Sequence, residues 1–312
     1  MAAPALTPAV FSQICYGKNE VDGLTGAKDV AIMAAIVGKC SAITSIQAAC
    51  DVVSSSKNVI EEKLARSLTA ETVELLPYLP YLLQDFWALG SNPVAITELI
   101  GKYVSPTDNA RVLDLACGKG AVSVNIAQKL RVRVKGIDML PAFIEFAIQK
   151  AKEFGVDDLC EFIESDINEA IKTEKGYDCV VFVSAGNVLG NTTETLDKLK
   201  ATVKSGGYLV IEDAYLSDGI SQSDIKCYYE YLTEPQWMAL FKEAGLDLLE
   251  TFYDDSPDQE SEMAAITARA NELMIKYPDK KEIFESYIHS QRNEYGDLDC
   301  NLTCATWILR KL

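Results

Sequence analysis

The sequence predicts an α/β protein built on a mostly parallel, seven-stranded sheet, and three observations carry that prediction. A short apolar run at 112–115 leads straight into Gly118 and Gly120, and a stretch of helical period follows at 121–130. Strand-like and helix-like segments then alternate as far as residue 253, the pattern of a sheet wound with crossover helices. The run at 177–183 is almost continuously apolar, as a strand buried on both faces must be.

Taken in order, residues 1–60 carry little charge, and 31–37 and 41–53 are rich in small residues that suit two short helices. The spacing of Ile60, Leu64, Leu68 and Leu75 predicts a helix over 59–76, stopped by Pro77 and Pro80. An aromatic segment, 81–89, precedes a loop in which Ser91 or Asn92 caps a helix over 93–103. The predicted strands are 110–115, 132–137, 161–163, 177–183, 208–211, 246–253 and 304–309. Between them lie helices at 121–130, from Pro141 to about 154, at 167–173, at 194–203 behind a Thr192 or Thr193 cap, and from Glu234 behind a Thr233 cap. Lys204–Gly207 is read as a tight turn, 216–232 as an insertion, and 257–293 as a helical insertion before the last strand, divided at Pro278 into helices ending near 275 and 291. The domain reading is an N-terminal helical extension or cover, 1–89, and a core, 90–312, carrying both insertions.

Composition narrows the partners. With 29 Lys and Arg against 46 Asp and Glu, the formal charge is −17, which repels a phosphate backbone. A small-molecule substrate is expected, with no nucleic acid. No apolar run reaches the length of a membrane span, and the first ten residues lack the basic region of a secretory signal. Nine scattered cysteines without a CxxC pair, and a single His, give poor support for a zinc site; they suit reduced thiols and a cytoplasmic setting. The sequence permits a homodimer.

The chemistry is concentrated at the glycine turn. Asp138 ends the second strand eighteen residues after Gly120, where a carboxylate can grip the two hydroxyls of a ribose. A dinucleotide fingerprint asks for glycine at 116 and 121, and both are alanine. Asp114 before the turn repels a pyrophosphate and suits a ligand with a cationic amino-acid tail.

The run Asp114-Leu115-Ala116-Cys117-Gly118-Lys119-Gly120 resembles the first motif of the class I S-adenosylmethionine-dependent methyltransferases, and Lys204-Ser205-Gly206-Gly207 before an apolar strand is similar to the same fold. The resemblance covers about 90–312. It implies a Rossmann-like sheet whose last strand is antiparallel, S-adenosyl-L-methionine as cofactor, and transfer of its methyl group to a small acceptor, with nitrogen or oxygen weakly favoured. It also implies that Asp114 lies near the methionine moiety and Asp138 holds the ribose, with Met139 following it. Asp166 then holds the adenine amino group, with Ile167 stacking nearby. Ala116, Gly118, Gly120 and Ser184 complete the cofactor side, and an N-terminal cover drawn from Tyr81, Gln84, Asp85, Phe86 and Trp87 closes over it. The same segment also reads as aromatics packing a helix on the sheet, and Asp166 also reads as a helix cap.

On the acceptor side, Glu212, Asp213 and Tyr215 emerge at a strand end, where Asp213 or Glu212 reads as a base or as a group that orients an amine; Ser184 and Asn187 are polar, and Tyr215, Tyr228, Tyr229 and Tyr231 can form an aromatic wall attractive to a cation. His289 is the one histidine, with Tyr287 and Arg292 on the same helix. No metal is expected, because the fourth strand ends in Ser184 and Ala185 and supplies no acidic partner to Glu212 and Asp213. Two alternatives stand beside methyl transfer: a NAD-linked oxidoreductase on a related fold, and a non-catalytic interaction protein.

Overall fold

The computed structural model describes residues 59–105, 109–227, 229–253 and 259–312. The short helices read at 31–37 and 41–53, and Tyr228, lie outside the described residues. The chain divides into two compact units, 1–64 and 65–312. Of the first, residues 59–64 are described, and they are helical.

The second unit is the α/β body. Its strands are β1 (Arg111–Leu115), β2 (Arg133–Asp138), β3 (Cys160–Glu164), β4 (Tyr177–Val183), β5 (Val203–Leu216), β6 (Leu246–Tyr253) and β7 (Leu302–Lys311). They lie in the order β3-β2-β1-β4-β5-β7-β6. β1 pairs in parallel with β2 and β4, β2 with β3, and β4 with β5, while β7 runs antiparallel between β5 and β6. The Rossmann-like sheet with an antiparallel last strand is therefore present. The order reverses at β1 and β4, which places a crevice at their C-terminal ends.

The helices are α1 (Pro93–Tyr103), α2 (Ala121–Leu130), α3 (Pro141–Glu153), α4 (Ile167–Ala170), α5 (Thr192–Thr202), α6 (Glu234–Glu243), α7 (Gln259–Lys276) and α8 (Lys281–Cys300). Two apolar clusters fill the two faces of the sheet. One centres on Leu113, Phe182, Ile211 and Trp307, the other on Val112, Val181, Val210 and Ile308. Alternate residues of β1, β4, β5 and β7 thus point to opposite faces, as the pleat requires.

Four expectations change. The helix over 59–76 ends by 67: Thr69 has a left-handed φ of 58°, and the Thr72 hydroxyl accepts the Glu74 N–H to start a 3-10 helix, Val73–Tyr78, with Pro77 inside it. The turn read at 204–207 lies within β5, where Gly206 (φ 73°) and a register shift opposite Tyr177 and Cys179 make a bulge rather than a strand start. The cap of α5 is Asn191, which forms a capping box with Glu194, one residue ahead of the threonines. α8 continues nine residues past Gln291. Its apolar stripe ends at Ile288, but the helix goes on by burying polar residues, Gln291 and Asp297, which periodicity does not report.

Candidate active site

The site is built on the turn after β1. Ala116, Gly118 and Gly120 all have left-handed φ, at 58°, 52° and 74°. A left-handed alanine is strained, and such strain survives only where the surroundings fix it. Here the Cys117 N–H donates to the Ile137 carbonyl at 3.1 Å and the Gly118 N–H to Asp138 Oδ2 at 2.9 Å. Asp138 Oδ1 accepts the Leu140 N–H at 2.9 Å, so one carboxylate joins the turn after β1 to the turn after β2. Asp138 is only 8% exposed; burial raises its pKa, and these N–H groups oppose the rise.

Asp114 precedes the turn within β1. It is buried, its Oδ2 accepts the Ser123 hydroxyl at 2.5 Å from α2, and burial pushes its pKa up to about 7. Gly120 answers to packing: a Cβ there would lie 2.7 Å from Ala147 Cβ and 2.9 Å from the Phe162 ring. At Gly118 the nearest neighbour of a Cβ would be Leu89, at 3.3 Å, which belongs to the segment before α1.

That segment covers the turn. The Trp87 indole donates to the Lys119 carbonyl at 3.0 Å, while the Lys119 ammonium donates to the carbonyls of Leu83 and Phe86. Of the residues proposed for the cover, Trp87 and Phe86 lie against the turn. Tyr81 does not: its hydroxyl donates to Glu272 and it faces α7. Asp85 also turns to α7, where Arg269 grips it at 2.7 and 2.9 Å, and Gln84 is exposed.

Along the sheet edge, Met139 is half-buried after β2. Asp166 caps α4, accepting the Asn168 N–H at 2.8 Å and its amide side chain at 3.1 Å. Ile167 is buried in the apolar cluster beneath that cap. After β4, Ser184 is exposed with φ 51°, and its hydroxyl donates to Glu212 Oε1 at 2.6 Å. Thr306 of β7 donates to the other Glu212 oxygen at 2.9 Å. A Cβ on Gly90 would lie 3.2 Å from the Ser184 hydroxyl, so the cover reaches from β1 to β4.

Next to this edge lies a polar wall. Asp213 accepts the N–H of Ala214 at 2.7 Å, and burial pushes its carboxyl up to about 6. Tyr231 lies 3.5 Å from the Cys227 thiol and feels the charges of Glu294 and Asp213; burial drives its phenol far up. Glu294 of α8 accepts the Thr69 hydroxyl and the Gln291 amide, and burial raises its pKa. Asp297, also buried, accepts the N–H groups of Lys226 and Cys227, both at 2.8 Å, and the Asn301 amide at 2.9 Å, which pins the 216–232 insertion to α8. Burial works against its ionisation, yet those donors hold its carboxyl below the usual range. Tyr229 closes over Gly186, and Asn187 beside it is exposed.

Three acceptor-side expectations are corrected. Tyr215 is not a free wall residue: β5 continues through it, and its ring stacks on Trp307 in the core with centroids 6.3 Å apart. His289 is on the exposed face of α8, and Arg292 is exposed as well, while Tyr287 is buried. Sequence reasoning missed Lys119, Thr69, Arg269, Glu294 and Asp297. Only Lys119 carried a local signal, as a long cation inside a glycine turn. Among the described residues, no group of His, Cys, Asp and Glu is arranged to hold a metal ion, and no helix is long and apolar enough to cross a membrane.

Comparison with known proteins bears on this geometry. Residues 106–245 match a family described as a methyltransferase domain. YjhP of Escherichia coli K12, itself uncharacterised, is 26% identical over 162 residues, covering 50% of this chain and 65% of YjhP. The solved YjhP structure overlays with a TM-score of 0.63 at 21% identity, over 75% of this chain and all of that one. A methyltransferase structure from Geobacter sulfurreducens, solved with S-adenosyl-L-homocysteine, overlays with a TM-score of 0.64 at 21% identity, over 76% and 98% of the two chains. The [4+2]-cyclase SpnF shares the fold too, with a TM-score of 0.58 at 15% identity over 76% and 93%. This chain spans less than two thirds of the curated relatives it matches, 65% of YjhP and 39% of a sterol 4-C-methyltransferase of Caenorhabditis elegans. Structural likeness at these identities establishes the fold; the chemistry has to be argued from the site.

Proposed function

We propose that the chain carries a class I S-adenosylmethionine-dependent methyltransferase domain and moves a methyl group from S-adenosylmethionine to a small-molecule nitrogen or oxygen nucleophile. The observation that carries the reading is the charge around the glycine turn. Two buried carboxyls, Asp114 and Asp138, adjoin it, and its one lysine points away into the cover. A pyrophosphate entering there finds no cation to neutralise it, which disfavours a nicotinamide dinucleotide. An adenosyl sulfonium, itself cationic, needs none. The related fold from Geobacter sulfurreducens was solved with S-adenosyl-L-homocysteine, which supports the same choice.

The residues divide the work. Asp138 accepts two N–H bonds, and a carboxylate has about four acceptor sites, so lone pairs remain for ribose hydroxyls. Asp166 keeps an oxygen for the adenine amino group, and Met139 borders the same crevice. When bound, the cofactor supplies an electrophilic methyl carbon and a neutral leaving group. The chain must orient the acceptor, exclude water and take up a proton. Asp213 is the candidate base, since burial makes its carboxylate more basic than usual. Tyr229 and Tyr231, whose rings meet edge to face with centroids 6.2 Å apart, are the candidate aromatic wall, and Tyr231 feels the charge of Asp213. The nine scattered cysteines, without a CxxC pair, support a reducing, cytoplasmic setting.

Calorimetric titration with S-adenosylhomocysteine and, in parallel, with NAD tests the cofactor. Binding of the first and not the second is expected; the reverse would end the reading. A labelled-methyl assay over a panel of amines and phenols then tests the acceptor.

A further inference from the structure

Lys119 interrupts the glycine turn with a long cationic side chain, yet the residue is only 4% exposed. Its ammonium donates to two main-chain carbonyls of the cover, Leu83 and Phe86, the latter at 2.6 Å. The cover returns a bond, from the Trp87 indole to the Lys119 carbonyl at 3.0 Å. The rings of Phe143 and Phe146 on α3 stand 5.6 and 5.1 Å from the ammonium. Among the described residues no carboxylate is bonded to it. Asp85 helps from a distance, and that residue is itself held by Arg269 of α7. Burying an ammonium against carbonyls alone is expensive, and an apolar side chain would fill the space at less cost. What the lysine adds is direction: two bonds fix where the carbonyls of Leu83 and Phe86 lie relative to the turn.

We infer that Lys119 is a positioning residue that staples residues 83–90 across the glycine turn, so that this segment forms a fixed wall of the cofactor crevice. The inference rests on the cofactor reading above. Leu89 then sits against Gly118 and Gly90 against Ser184, spanning the ends of β1 and β4. The turn reads its ligand through backbone; its lysine is spent on the wall. This assignment accounts for a cation that is close to the ligand site in sequence but turned from it in space.

The test uses the full chain with Lys119→Met, which keeps length and removes the donor, and Trp87→Phe, which removes the reciprocal bond and leaves the lysine. Amide hydrogen exchange over 84–89 is followed against that of β1 and β4, together with the dissociation constant for S-adenosylhomocysteine. For Lys119→Met the expected result is exchange over 84–89 at least about ten-fold faster with the strands unchanged, and affinity about ten-fold weaker. Trp87→Phe is expected to move both readouts the same way by a smaller factor. Unchanged exchange over 84–89 in Lys119→Met, or an equal rise in β1 and β4, overturns the staple. Faster exchange with unaltered affinity overturns the wall. If Lys119→Met does not fold, Trp87→Phe decides by the same two readouts. If the wild-type protein itself fails to bind S-adenosylhomocysteine, the cofactor reading falls, and with it the wall; the exchange data still decide the staple.

Discussion

The two halves of the crevice are made in different ways. At the β1–β2 end, the two turns are joined to each other by backbone N–H groups and one carboxylate with partners 20 residues apart or fewer, as in Gly118–Asp138 and Leu140–Asp138, and the Lys119 bonds to the cover span no more than 36. At the β5 end, polar side chains come together from across the chain: Thr69 with Glu294 at a separation of 225 residues, and Asp297 with Lys226 at 71. On the proposed function the first half holds the cofactor, and the second, assembled by the 216–232 insertion and α8, holds the acceptor.

Asp213→Asn is the sharpest way to break the contrast. If the β5 end carries proton transfer and the β1 end carries the cofactor, turnover should fall by about 100-fold or more while S-adenosylhomocysteine affinity stays within about two-fold. Because the carboxyl titrates near 6, the wild-type rate should rise as pH climbs through that value and the base ionises, and the variant should lack that limb. Rates at saturating cofactor between pH 5 and 8 check both. A loss of affinity matching the loss of rate would merge the two halves.

How legible each half was in the sequence follows from the same separation. The glycine turn, Asp138 and the cap at Asp166 were readable because residues close in the chain determine them. Asp213 was readable as a strand-end carboxylate. Glu294 and Asp297 were not, because they are polar residues on the buried face of a helix whose apolar stripe had already stopped. Tyr215 was misplaced because β5 runs to Leu216 and pairs with β7 there, which returns the ring to the core. His289 was chosen for its chemistry alone, and helix phase puts it in solvent. The direction of Lys119 depends on the fold of 83–90, which no local pattern specifies.

A smaller effect is expected from Asp138→Ala, and it should fall on the other half. The change orphans the N–H groups of Gly118 and Leu140 and removes the proposed ribose acceptor. Affinity for S-adenosylhomocysteine should weaken by about 30-fold, near 2 kcal/mol, with about 1–3 kcal/mol of stability lost as the two turns loosen. Calorimetry and urea unfolding measure these separately. Intact affinity would remove Asp138 from the cofactor site and leave it a purely structural link.

The smallest effect concerns Asp114, and it sharpens the claim that the β1 end is a dry, carboxyl-backed cradle. Its folded pKa of about 7 is raised by burial above the unfolded value. A raised carboxyl is protonated in the folded chain and ionised in the unfolded one throughout the interval between the two values. The folded state then binds more protons, and stability must fall as pH rises through that interval. The contribution is complete below about pH 4 and is lost by pH 7. Asp114→Asn keeps a polar side chain that cannot ionise. Between pH 5 and 6 the wild-type protein should therefore lose about 1 kcal/mol more stability than the variant, close to the limit for one proton per pH unit. Urea unfolding of both at the two pH values measures the difference. Equal slopes would mean that Asp114 is ionised in the folded protein, with solvent or a cation reaching its carboxyl, and the cradle would not be dry.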